Sequence, residues 1–213
     1  MDGTEKEQKW HTLAAHFYET ADCLGHPIDP GIKETVIALN VLGLPTIASC
    51  EGHTDHGISA PWVEIALPGE PEEHFAGEKK IYEEIAKKYG VPFEDVKRGT
   101  HAEAWLAALR EASKNQETTE HLAWQKANTE LMRTKIIPLL EEFYKDRVVS
   151  DAVRISVSEG IGAFRIYNGG HDYAPVPEPI TEGARRALAA RIKIYRAEMA
   201  AFAEFVKQKF FSG

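Results

Sequence analysis

The chain has 213 residues, 43% of them hydrophobic and 27% charged, which fits a folded globular protein and excludes long disordered tracts. Its formal net charge of −8 argues against a duplex nucleic-acid surface, because neutralising phosphates takes clustered Lys and Arg. No apolar run reaches the roughly 20 residues that span a bilayer. The first residues also lack the basic-then-apolar order of a secretory leader, and the two cysteines, Cys23 and Cys50, make no disulfide framework. A cytoplasmic protein with no membrane partner is expected.

Trp10, Leu13, Ala14, Phe17, Ala21 and Leu24 recur at three- and four-residue spacing, so residues 6–24 read as an amphipathic helix stopped by Gly25. Asp29-Pro30 supplies an N-cap and a first-turn proline, and Ile32, Val36, Ile37, Leu39 and Leu42 carry a buried helix to Gly43. A short strand, Thr46 to Ser49, follows. Val63, Ile65 and Leu67 alternate with Trp62, Glu64 and Ala66, as a half-buried strand over 62–67 requires. From Pro71 to Glu117 two charged helical patterns, the first with Phe75, Ile81, Tyr82, Ile85 and Tyr89 on its apolar side, read as a helical insertion between sheet elements.

A long helix is predicted from Thr119 to Arg147, bent at Pro138. Residues 152–158 and 161–167 alternate around Glu159-Gly160, the pattern of a hairpin with a two-residue turn. After a glycine-rich loop at 168–173, a final helix over 181–211 carries Leu188, Ile192, Ile194, Tyr195, Met199, Phe202, Val206 and Phe210. So broad a stripe fits either packing against the 119–147 helix or a helix-mediated homodimer. The expected fold class is α+β, a single domain over 1–213. It has a small, mainly antiparallel sheet covered by long helices, the helical insertion 71–117 and the long C-terminal helix 181–211.

The first strand runs into Ser49-Cys50-Glu51-Gly52-His53-Thr54-Asp55-His56-Gly57, where one thiol, two imidazoles and two carboxylates fall within seven residues. Cys50, His53 and His56 have the donor types that hold zinc or another divalent transition metal, and three ligands with one open position describe a catalytic centre. Glu51 or Asp55 would then move the proton, with His171 or Asp172 as further members of the shell. A Cys50 nucleophile activated by a neighbouring imidazole is a second chemistry open to the same residues. The plain structural alternative buries Cys50, bonds His53 to the backbone and leaves His56 in solvent. With a two-residue hairpin loop, Arg154 lies opposite Arg165, and two like charges so placed need either Glu64 between them or an anionic ligand. The candidate catalytic residues are thus Cys50, His53, Asp55 and Glu51. Ser49, Arg154, Arg165 and His171 are candidate contacts to a small-molecule ligand.

The run Asp29-Pro30, Leu39-Asn40 and Thr46-Ile47-Ala48-Ser49-Cys50-Glu51-Gly52-His53 resembles, over residues 29–53, the start of the wybutosine-synthesising tRNA methyltransferase family. That family carries an Asp, a helix ending near Leu-Asn, and a strand end reading Thr-Ser-Ser-Cys-Ser/Ala-Gly-Arg. Ser49, Cys50 and Gly52 match. His53 stands where the family has arginine, and Glu51 where it has a small residue. The resemblance implies a related α+β substructure with a site at Ser49 to His53, and by extension an S-adenosylmethionine-dependent, tRNA-modifying activity. Three readings therefore stand side by side: a metal-dependent small-molecule enzyme or ligand-binding protein, that tRNA-modifying activity, and a non-catalytic helix-mediated oligomer.

Overall fold

The computed structural model describes residues 2–21, 25–159 and 162–213. Cys23, Leu24, the predicted turn residue Gly160 and the predicted strand start Ile161 lie outside the described residues, but the helix expected over 6–24 already ends at Glu19, with Thr20 extended and Ala21 bridged to Pro27. The fold is α+β, and the chain divides into two compact units, residues 1–67 with 130–213, and residues 68–129. The expected insertion, 71–117, falls within the second.

In the first unit, α1 (Gly3–Glu19) opens on a capping box in which Asp2 accepts from the Glu5 amide and Glu5 from the Asp2 amide. α2 (Pro30–Val41) buries Ile32, Val36, Ile37, Leu39 and Val41, and touches α1, the first two strands and the C-terminal helix. The sheet contains β1 (Thr46–Cys50), β2 (Trp62–Ile65), β3 (Ser156–Glu159) and β4 (Phe164–Tyr167), all antiparallel in the order β1-β2-β4-β3. Val63, Ile65, Phe164 and Ile166 enter the core, while Trp62, Glu64, Arg165 and Tyr167 take the opposite face. β1 is an edge strand without a charged residue, and a register shift between Thr46 and Ala48 leaves Ile47 57% exposed.

The C-terminal helix of this unit, Glu182–Ser212, carries the broad apolar stripe read from the sequence. Its Thr35 contact, a hydroxyl to the Met199 carbonyl at 3.4 Å, and the edge-on meeting of Phe202 with Phe143 at 5.3 Å show where that stripe goes. Leu188, Ile192, Tyr195, Met199, Phe202, Val206 and Phe210 are all buried, whereas Ile194 stays exposed. Most of the stripe is thus buried within the chain.

Two expectations change. The helix predicted over 119–147 forms as α6 (Thr119–Leu131), a π-helical turn (Met132–Ile136) and α7 (Ile137–Phe143). Pro138 lacks an N–H and its ring crowds the carbonyl four residues back, so the turn before it widens instead of merely bending. The hairpin register also shifts. Glu159 pairs with Phe164 and Ser158 with Arg165, a register that a two-residue turn at 159–160 does not give, and Gly162 takes the left-handed backbone (φ 80°). Arg154 therefore falls before β3, its guanidinium 4.1 Å from the Tyr144 ring centre. Arg165 instead faces Glu64, which it meets at 2.6 Å. The expected Arg154–Arg165 pair, and the anion site built on it, do not form.

In the second unit, α3 (Glu78–Tyr89), α4 (Phe93–Lys97) and α5 (Ala102–Ala112) precede most of α6. Ala104, Ala108 and Ala112 bring one small-residue face of α5 against Tyr82 and Ala86 of α3, with Val96 closing the cluster. A clasp ties its two ends together: the Ala76 amide donates to the Gln116 carbonyl and the Thr118 amide to the His74 carbonyl, each at 2.9 Å. His121 lies fully buried beside this clasp, stacked on His74 at 4.1 Å. Its Nδ1 is 3.5 Å from Glu117 Oε2, out of line for a hydrogen bond. Burial, then the charge of His74, pushes the His121 imidazole below its ordinary value of 6.5, and Glu117, Glu70 and Glu78 oppose this without winning. Below 6.5 the unfolded chain thus binds the proton more readily than the folded one, so the stability present above that value is lost as pH falls. Hydrogen exchange should show protection at the Ala76 and Thr118 amides dropping through that range relative to α2 amides, and His121→Asn should remove most of the drop.

The C-terminal helix is hereafter α8. No helix among the described residues is long and apolar enough to cross a membrane.

Candidate metal centre

β1 ends at Cys50, and the chain leaves the sheet through Gly52. That residue has φ 82°, and a Cβ there would sit 2.6 Å from the Ser59 carbonyl oxygen, so only glycine fits. The following loop is pinned at both ends. The His53 amide donates to the Ile58 carbonyl at 3.3 Å, the Val176 amide to the Gly57 carbonyl and the Ser59 amide to the Ala174 carbonyl, each at 2.9 Å.

Three elements then lock together. Asp29 stands at the N-cap of α2 without capping it; its Oδ2 accepts from the Glu51 amide at 3.1 Å and meets His53 Nε2 at 3.3 Å. Glu51 does the capping in its place, its Oε2 taking the Gly31 amide at 2.5 Å, one of the unpaired first-turn donors of a helix. Gly31 permits this approach, since a Cβ would lie 2.6 Å from that oxygen. Arg196 of α8 completes the lock, meeting Glu51 Oε1 at 2.7 Å and donating to the Glu51 and Gly52 carbonyls at 2.9 and 2.6 Å.

The product is a convergence. One ligand atom each from Asp29, Cys50 and His53 lie within 4.8 Å of one another, and all three residues are half-buried. They line a cleft of about 480 Å³ whose walls include Phe17, Ile28, Val36 and Ile47, with Ser49 and His26 as polar members. A second set, His53, Asp55 and His56, meets the same distance limit. There His56 Nδ1 meets Asp55 Oδ1 at 2.7 Å and its ring stacks on His53 at 4.0 Å. The hydrogen bond from His56 holds the Asp55 carboxyl below the usual range.

Burial above all, and then the carboxylates of Asp29 and Glu51, push the Cys50 thiol up; the Gly52 amide at 3.3 Å and Arg196 pull the other way without winning. A thiol kept protonated is a poor nucleophile. A cation set among Asp29, Cys50 and His53 reverses that balance, because it favours the thiolate and offsets the crowded carboxylates.

Ser49, Cys50, His53 and His56 all reach the cleft, whereas Glu51 and Asp55 are not among its lining residues. Cys50 and His56 share no ligand set among the described residues, since His56 is turned onto Asp55; Asp29 takes the place expected for it. Both oxygens of Glu51 are engaged, so this residue braces the turn. His171, Arg154 and Arg165 lie off the cleft, as does Asp172. Arg191 grips Asp172 with two bonds at 2.6 and 2.9 Å, Tyr195 adds a third at 2.8 Å, and its carboxyl is held low as a result.

In the sequence Asp29 has the place of a helix cap, and nothing local marks Arg196 as part of the site. The missed signal is positional: Arg196 lies four residues after Ile192 and three before Met199, inside a buried stripe where a charge needs a partner. No protein-family model, curated protein or solved structure matches the chain.

Replacing Arg196 by Ala strands the Glu51 carboxylate and two carbonyls. Denaturant unfolding should show a loss of about 2 kcal/mol, below the cost of breaking a fully buried pair because the Arg196 side chain is 33% exposed. Arg196→Lys should recover only part of it, since an ammonium cannot fork across all three acceptors.

Proposed function

We propose that the chain is a small-molecule enzyme built around a divalent transition metal of the zinc class, held by Asp29, Cys50 and His53. The observation that carries this reading is the convergence of those three donors on the wall of a cleft lined by polar and apolar side chains. Carboxylate, thiolate and imidazole are the donor types such ions prefer, and three protein ligands leave a position for the cleft's occupant. The Glu51 amide on Asp29 and the Gly52 amide on Cys50 orient the ligand atoms, as outer partners do around metals. When bound, the metal supplies Lewis acidity to a polar group of the occupant. Phe17, Ile28 and Val36 on the cleft wall suit an occupant with an apolar body.

Elemental analysis of protein purified without chelator should find close to one such ion per chain, lost in both Cys50→Ser and His53→Ala, with zinc raising the unfolding temperature of the unchanged chain. Well under one ion per chain, together with no stabilisation by zinc, overturns the reading. Calorimetry with S-adenosylmethionine on metal-free protein separates the tRNA-modifying alternative: no binding is expected here, and clear binding without metal favours that alternative instead.

A further inference from the structure

Building on that metal centre, we infer that His53, Asp55 and His56 form a capture position, which takes the ion from solution and passes it to Asp29 and Cys50 through the shared imidazole of His53. Two ligand sets meet at one residue. They differ in access: the Asp55 and His56 side chains are 60% and 66% exposed, against 31% for Asp29 and 20% for His53. A hydrated divalent ion sheds its water at a large cost unless ligands replace it as it leaves. Exposed ligands allow that replacement one water at a time, which a half-buried set does not.

The path between the positions is short. The His53 and His56 rings are stacked at 4.0 Å and 23°, so the exposed ligands of the second set adjoin the residue that belongs to both, and His56 turns its nitrogen off that stack to reach the ion. The loop is pinned by the His53 amide at one end and the Gly57 carbonyl at the other, so transfer proceeds by side-chain rotation and not by loop opening. In the transfer, the bonds from the ion to Asp55 oxygen and His56 nitrogen break, and those to Asp29 oxygen and Cys50 sulfur form. The Cys50 thiol gives its proton to solvent as the sulfur bond forms. Exchanging an exposed imidazole for a thiolate favours the inner set for a borderline ion such as zinc or cobalt. In this relay His53 gives its nitrogen to one ion at a time, so a single ion occupies the pair.

Stopped-flow mixing of Co²⁺ with metal-free protein tests this, since a thiolate-to-cobalt charge-transfer band in the near ultraviolet reports arrival at Cys50. The double variant Asp55→Asn/His56→Phe removes two ligand atoms while keeping a ring against His53, and both side chains are exposed enough for the fold to tolerate the change. The band should form at least roughly tenfold more slowly in the variant, the scale on which local electrostatic capture alters association. Its final intensity, the cobalt affinity by chelator competition and the ratio of one ion per chain should be unchanged. An unaltered rate, a matching loss of affinity, or two ions in the unchanged chain overturns the capture role. A band that never forms in the unchanged chain refutes the inner centre itself, which is a separate outcome.

Discussion

The guanidinium of Arg196 is the contact on which the candidate centre depends. It binds one carboxylate oxygen and two carbonyls of the Glu51-Gly52 turn, and so fastens the end of β1 to α8. The turn in turn caps α2. Glu51 supplies the negative charge that the positive end of that helix attracts, which releases Asp29 from the task its position would otherwise set. A swapped cap thus explains why a helix-initiating aspartate points at a histidine and a cysteine. Charge-assisted hydrogen bonds are worth about 1.5–3 kcal/mol each where solvent is excluded and less at a part-exposed group such as Arg196, enough to hold three elements in register but not to tolerate a poor fit.

A second cationic side chain steadies the same strand end from the other side. Cys50 is paired across the sheet with Trp62, and the Arg165 guanidinium lies 4.2 Å from the Trp62 ring centre while meeting Glu64 at 2.6 Å. Arg165 also donates to the Tyr173 hydroxyl at 3.4 Å, and Tyr173 stacks on Tyr167 at 4.1 Å. Two arginines therefore work for the site without entering it. Arg165 is spent on Glu64 and Arg196 on Glu51.

How much of this was legible depended on distance along the chain. Helices α1, α2 and α8 show in the sequence because a stripe of period 3.6 survives any tertiary context, and the cluster from Ser49 to His56 shows because its members are contiguous. Pro138 announces a break but not its form, since a bend and a π-helical turn both accommodate the same missing N–H. The hairpin parity was readable and its register was not, because the loop length, and not the alternation, decides whether Arg165 faces Arg154 or Ser158. Arg196 lies 145 residues from the carbonyl of Glu51 that it binds, and no local pattern links the two. Asp29 is closer, yet its role as a cap hides the direction in which its side chain is drawn.

β1 has one further consequence. Sheet edges usually carry lysines, prolines or inward charges that discourage pairing with a second chain, but Thr46-Ile47-Ala48-Ser49-Cys50 carries none of these and shows Ile47 to solvent. Brevity and a bulge are its local safeguards. What remains is the repulsion between whole molecules set by a net charge of −8, a defence that weakens near the isoelectric point of about 5.6 and is screened by salt. The acidity of the chain and the bareness of its edge strand belong together: colloidal repulsion lets the wall of the cleft stay free of the charged gatekeepers that would otherwise crowd it.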